Sequence, residues 1–488
     1  MSNTSDLILR NGLIIDGTGG PAIQADIAVV GDRITGIGQV DSTGATEVDV
    51  SGLTICPGFI DVHTHDDFAV TVHPDMAFKV LGGVTTVIVG NCGFGAAPYQ
   101  AGAAMARAFH PKGEFPVWDG YSGYRRHLER ESASVNVGML IGHGTVRLAA
   151  MGSDRRPPAK SELDTMRASV IDGLDAGALG ISTGLIYEPG RFANTDELVA
   201  LSEPVAEAGG LYASHLRNEA SRLVEAVDEA IEIGERAGLA VQISHHKASG
   251  RENWGDVARS LARIEQAQAR GLRVRADQYP YTAGSTVLRA VTGDGMSNLS
   301  PDDIVVASCA SHRAWEGMSL ARIGAELGCG GPEAGARVLE VEPDTTVILH
   351  LMAEDDVQTV MAHPSTMIGS DGIPTLEGRP HPRLYGTFAR VLGHYARDLG
   401  VFPIEEAVYR MTGYSADTFG LHERGVITEG NFADLVVFDP ATIIDVGTYE
   451  DPNHPPAGID LVVVNGRIVV RGGHHTGARP GRPLTRAR

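Results

Sequence analysis

Positive charge is scarce in this chain of 488 residues: 40 Lys and Arg stand against 61 Asp and Glu, for a net charge of −21. Such a balance favours solubility and argues against the electrostatic footprint of a nucleic-acid binder. Lysine occurs at only four positions, Lys79, Lys112, Lys160 and Lys247, and arginine supplies the other positive charge. No Gly-Lys pair occurs, which excludes a P-loop. Cysteine is as rare: Cys56, Cys92, Cys309 and Cys329 are too few for a disulfide framework, so each is weighed as core, ligand or nucleophile. No apolar run approaches the roughly 20 residues of a membrane span. The opening MSNTSDLILRNG lacks the basic region and apolar core of a signal peptide, so the expectation is a cytoplasmic protein without membrane contact.

Two β-rich ends flank a longer alternating segment. Residues 1–57 read as short strands broken by Gly/Asp turns (LILRNGLIID, DIAVVGDRITGIG, TEVDV), and residues 424–488 read the same way (GVITEGNFADLVVFD, IDLVVVNGRIVVRGG). The two ends are expected to pair into one small β-sandwich domain. Across 58–423, apolar β-like runs alternate with amphipathic segments such as LVEAVDEAIEIGERAG, the rhythm of βα units around a parallel sheet. Eight strands are expected, near 59–63, 84–90, 135–141, 177–182, 209–214, 239–244, 272–277 and 366–370. Eight is the strand number of a (β/α)8 barrel of the TIM type. Residues 284–345 fit no simple βα unit and are expected to form an insertion near the barrel mouth.

Barrel enzymes carry their chemistry at the C-terminal strand ends. There the chain places His63 and His65 (GFIDVHTHDD), Cys92 (VIVGNCGFG), His143 (LIGHGTVR), His215 (YASHLRNE), His245, His246 and Lys247 (VQISHHK), and Asp371 (MIGSDG). Singly, each has an ordinary explanation: a loop histidine, a small core cysteine, a helix-capping aspartate. Six of them (His63, His65, Cys92, His215, His245 and Asp371) at matching ends of five strands are harder to dismiss, because imidazole and thiolate are metal ligands. Strand parity points His245 inward with Ile243 and turns His246 away, while Lys247 shares the face of His245. Serine hydrolysis is not expected, no G-x-S-x-G elbow being anticipated, and GNCGFG has the wrong glycine spacing for a dinucleotide fingerprint.

Taken together, PGFIDVHTH, GNCGFG, STGLIYEPG, SHLRNE, ISHHK, GSDG and GNFADLVVFD resemble the amidohydrolase superfamily, and within it the N-acyl-D-amino-acid deacylases. Many superfamily members bridge two metals with a carboxylated lysine after the fourth strand, where this chain has none. The deacylase branch uses a cysteine instead, and Cys92 fits that place. The resemblance implies a tightly bound Zn2+ on Cys92, His215 and His245, and a second, weaker site on His63 and His65 sharing Cys92. It implies hydrolysis of a small N-acyl amino acid, with Asp371 passing a proton from water to the leaving amine. Lys247 is the expected anchor for the substrate carboxylate, with Tyr187, Tyr279, Tyr281 and Arg289 as further contacts and His143 and Arg147 shaping the pocket. The preference for D-amino acids rests on the resemblance alone. The rival is a cyclic amide hydrolase of the hydantoinase or dihydroorotase kind, which shares the fold but usually needs the missing lysine. A barrel kept only as a scaffold is the third reading, and such a chain should have lost its ligands.

Overall fold

The computed structural model describes residues 4–110, 113–291 and 299–486. Eight parallel strands lie side by side in chain order: Phe59–Asp61, Val84–Val89, Asn136–Gly142, Gly180–Gly184, Leu211–His215, Ala240–Ile243, Val274–Gln278 and Thr366–Ile368. These match the runs expected from the sequence. Six of the eight are buried along their whole length, which is why they read as continuous apolar or small-residue runs instead of alternating ones. A parallel bridge between Thr64 and Gly372 links the first strand's extension to the eighth's and closes the ring.

Helices cover the outside because their apolar residues recur at helical spacing. Helix Leu223–Ala237 buries Leu223, Ala226, Val227, Ala230, Ile231 and Ile233 on one side and stops at Gly238, whose φ of 78° suits a left-handed cap. Among the described residues, no helix is long and apolar enough to cross a membrane.

Both chain ends join one nine-stranded sheet. Thr54–Pro57 runs antiparallel to Leu435–Phe438, placing Cys56 opposite Val436. The sheet encloses a core of its own from Leu9, Ile27, Ile55, Leu435 and Leu461, giving the small β-sandwich domain built from both ends. Between the seventh and eighth barrel strands the chain adds a three-stranded antiparallel sheet (Ala283–Val287, Thr346–His350, Ile304–Ser308) and two helices, Leu320–Leu327 and Gly331–Val341. Residues 292–298 of this insertion lie outside the described residues. Its first strand reaches the barrel mouth, where Val287 packs with Phe109 and Ile373.

Candidate metal centre

The closure of the barrel sets the site. Beyond the first strand, the His63 carbonyl accepts from Asp371 N at 2.7 Å and His65 N donates to the Gly372 carbonyl at 3.2 Å. Below this pair, Asp61 accepts from Ser370 N and Oγ at 2.8 and 2.6 Å and pairs with the buried Lys79 ammonium at 2.8 Å. A buried charge of this kind is tolerated only with its partners in place. The cluster therefore pins the eighth strand's end, and Asp371 with it, against both histidines.

Cys92 arrives on a loop that only its own sequence permits. In GNCG, Gly90, Cys92 and Gly93 all have positive φ, at 85°, 53° and 75°. A Cβ on Gly93 would stand 2.9 Å from the amide nitrogen of Gly184. Ser182, in the fourth strand, accepts from Gly93 N at 3.0 Å and donates to the Gly90 carbonyl, tying the loop down from both sides. The thiol then faces three imidazoles: His63 Nε2 at 3.3 Å, His245 Nε2 at 3.5 Å and His215 Nδ1 at 3.7 Å. One ligand atom each from His63, Cys92, His245 and Asp371 falls within 4.8 Å of the others. Three of those four, Cys92, His245 (φ 35°) and Asp371 (φ 49°), hold left-handed backbone, a conformation costly for side-chain-bearing residues and concentrated at functional sites.

The electrostatics suit a cation. Burial pushes the Cys92 thiol up, but His63 and His245, with the hydrogen bond to His215, override it and hold the thiol well below its usual range. Asp371 behaves alike: burial raises its carboxyl, and the Arg383 guanidinium at 2.9 Å, with His245, His65 and His63, keeps it well below the ordinary value. His65 Nε2 lies 3.1 Å from Asp371 Oδ1, and despite its burial this contact, together with the Cys92 thiolate, lifts the ring to about 9. Softness (one sulfur, several imidazoles) and convergence both fit zinc.

The remaining expected residues divide. His246 turns outward and bonds Ser260 Oγ at 2.8 Å, against simple alternation: Gln242 faces Asp277 inside, Ile243 packs with the helices, and the left-handed φ of 35° at His245 reverses the order. Tyr187 sits against His215 with ring centroids 4.9 Å apart, and its hydroxyl meets Thr286 Oγ1 at 3.1 Å. Tyr279 is fully buried, with its hydroxyl unbonded. Lys247 reaches the site, but Glu219 takes its ammonium at 2.7 Å. Tyr281 is drawn away to Asp445 at 3.2 Å, and Arg289 lies half exposed on Asp344 at 2.7 Å, so neither is brought to the cluster. His143 and Arg147 form a separate buried group around Glu197, at 2.9 and 3.5 Å.

Sequence reasoning missed Arg383. It is 1% exposed, lies 4.5 Å over the Tyr279 ring, and leaves Nε and Nη1 without a hydrogen bond. No motif marks it, because it opens a helix twelve residues past Asp371 and only the fold returns it to the mouth. A second omission concerns serine: Gly180–Gly184, GISTG, does have G-x-S-x-G spacing. It forms no nucleophile elbow, since Ser182 lies within a strand and spends its hydroxyl on the Cys92 loop.

Residues 46–470 match the model of the Amidohydrolase family. The chain belongs to that family. This amidohydrolase is 43% identical over 487 residues to D-aminoacylase of Alcaligenes xylosoxydans xylosoxydans, covering 99% of this chain and 98% of that one. Its fold matches the N-acyl-D-glutamate deacylase of Bordetella bronchiseptica, solved with zinc and a phosphonate inhibitor, at a TM-score of 0.91 and 39% identity over 99% and 100% of the two chains. The dihydropyrimidinase of Brevibacillus agri shares the fold alone, at a TM-score of 0.61 and 18% identity over 98% of each chain.

Proposed function

We propose that the chain is a zinc-dependent hydrolase that splits N-acyl-D-amino acids into a carboxylate and a free D-amino acid. The observation that carries this is the Cys92 thiol ringed by three imidazoles with Asp371 beside them, in a barrel without a lysine at the fourth strand's end. Cys92, His215 and His245 would hold the tighter zinc, and His63 and His65 a weaker one sharing Cys92. Bound zinc supplies a water acidified to a pKa of about 7 and a polarised amide carbonyl. Asp371, ionised and on the rim of the cluster, accepts the water's proton and hands it to the leaving amine. The domain division at about residues 57 and 424 and a cytoplasmic location complete the reading.

Lys247 and Arg383 both already meet a carboxylate, Glu219 at 2.7 Å and Asp371 at 2.9 Å, so what favours Arg383 as carboxylate anchor is its remaining donors. Arg383 offers two unbonded N–H positions from within the mouth, and an arginine fork matches a carboxylate. Arg383→Met therefore leaves the substrate charge unpaired. The expected result is a fall in kcat/KM of about 30-fold or more on an N-acetyl-D-amino acid, equivalent to roughly 2 kcal/mol or more. Its uncharged amide should lose far less, and equal losses on both substrates would remove Arg383 from the carboxylate site.

An apolar wall stands beside the ligands. Phe94 and Phe109 each lie 5.7 Å from the His65 ring, with Tyr187, Val287 and Ile373 next to them. A second substrate carboxylate against these groups would be desolvated without a partner. N-acetyl-D-leucine or N-acetyl-D-methionine should thus exceed N-acetyl-D-glutamate in kcat/KM by at least about tenfold. The test of the whole reading is a panel of paired N-acetyl-D- and N-acetyl-L-amino acids, with zinc measured on the same preparation. Turnover of hydantoins instead would return the assignment to the cyclic-amide class.

A further inference from the structure

Two of the imidazoles that face Cys92 share one carboxylate behind them. Glu219 Oε1 is 3.0 Å from His245 Nδ1, and Oε2 is 3.7 Å from His215 Nε2, a charge contact longer than a hydrogen bond at a ring nitrogen that has no other partner among the described residues. The rings themselves meet edge to face, centroids 4.4 Å apart and planes at 82°. They come from different strands, so their mutual angle is not set by either strand alone. They also face the sulfur through different nitrogens, His215 by Nδ1 and His245 by Nε2.

A neutral imidazole carries one proton, and the nitrogen that ligates must be the bare one. An acceptor behind the ring settles the matter by holding the proton on the far side. Asp277 does this for His63, accepting from Nδ1 at 3.1 Å. Behind the other two rings stand Glu219 and Lys247, whose ammonium also lies 2.8 Å from His245 Nδ1; an ammonium has no acceptor to offer, so of the two only Glu219 can take the proton of a ligating ring. Its own loop is fixed, since its carbonyl accepts from Ser249 N at 2.7 Å. Lys247, bonded to the same Oε1, balances the charge.

We infer that Glu219 is a positioning residue of the metal centre, orienting His215 and His245 together, and that Lys247 serves as its counter-ion. This rests on the metal-site reading above and adds to it. Glu219→Gln keeps the shape but has one acceptor oxygen, so it can satisfy one ring at most and presents an N–H to the other.

The experiment uses full-length protein stripped of metal and reloaded with zinc. In competition with a chelator, Glu219→Gln should bind zinc about 10- to 100-fold more weakly than wild type. Melting curves add a readout that general destabilisation would not give: the metal-free variant should melt with metal-free wild type, while the shift gained on adding zinc shrinks. Equal zinc affinity, or an equal drop in melting temperature with and without zinc, overturns the inference. Should Glu219→Gln not fold, Glu219→Asp decides. It keeps the charge but draws back by one carbon, so a zinc affinity below wild type supports the role and an unchanged one overturns it. Wild-type protein that takes up no zinc overturns both this inference and the metal reading beneath it.

Discussion

Asp371→Asn should lower turnover by roughly 10²- to 10⁴-fold while leaving zinc content close to wild type. The change keeps the side chain's shape and removes its ability to take a proton. Its neighbours meet different oxygens, His65 on Oδ1 at 3.1 Å and Arg383 on Oδ2 at 2.9 Å, so asparagine keeps an acceptor for one of them. The backbone is held independently, by Asp371 N on the His63 carbonyl at 2.7 Å, so the strained φ of 49° does not depend on the carboxylate. The tighter zinc is assigned to Cys92, His215 and His245, which explains why metal should survive. Metal content by elemental analysis and kcat on one N-acetyl-D-amino acid separate the two effects. Retained turnover would move the base to another group, and lost zinc would make Asp371 a ligand first.

The barrel was legible because its physics is periodic. A buried parallel strand needs a continuous apolar run and a covering helix needs apolar residues every three to four positions, so the alternation of the two survives in one dimension. Parity alone does not separate His245 from His246: Ile243 packs outward with the covering helices, and the left-handed turn after the strand, φ 35° at His245, brings that ring to the mouth. What stayed hidden were partners. Lys247 stands beside a histidine in VQISHHK, yet its charge belongs to Glu219, 28 residues earlier. Tyr281 sits in the expected loop, but its hydroxyl answers to Asp445, 164 residues on. Arg383 carries no local sign at all. Spacing tells which strand end a residue occupies; it does not tell where a long or polar side chain finds its counter-charge, because that choice depends on segments brought together only by the closed fold.

Cys92→Ala should cost most of the bound zinc and nearly all activity, the largest effect expected from any single change in this chain. The thiol lies within 3.7 Å of ring nitrogens from three different strand ends. Without it, the rings lose both the central ligand and the negative charge that offsets a divalent ion. A catalytic zinc needs three protein ligands, and alanine leaves the tighter site with two. Loss of a ligand should exceed the roughly 10- to 100-fold loss in metal affinity that follows loss of an outer partner. Alanine is no worse than cysteine at a φ of 53°, and Ser182 still ties Gly90 and Gly93, so the loop should keep its path. Cys309→Ala and Cys329→Ala serve as controls, since both cysteines lie in the insertion and neither belongs to the cluster. Zinc per chain after dialysis, measured beside the rate on an N-acetyl-D-amino acid, decides between the outcomes: full occupancy with normal turnover in Cys92→Ala would remove the thiolate from the centre, and unequal losses would divide its work, zinc falling further than rate if the weaker site alone sustains catalysis.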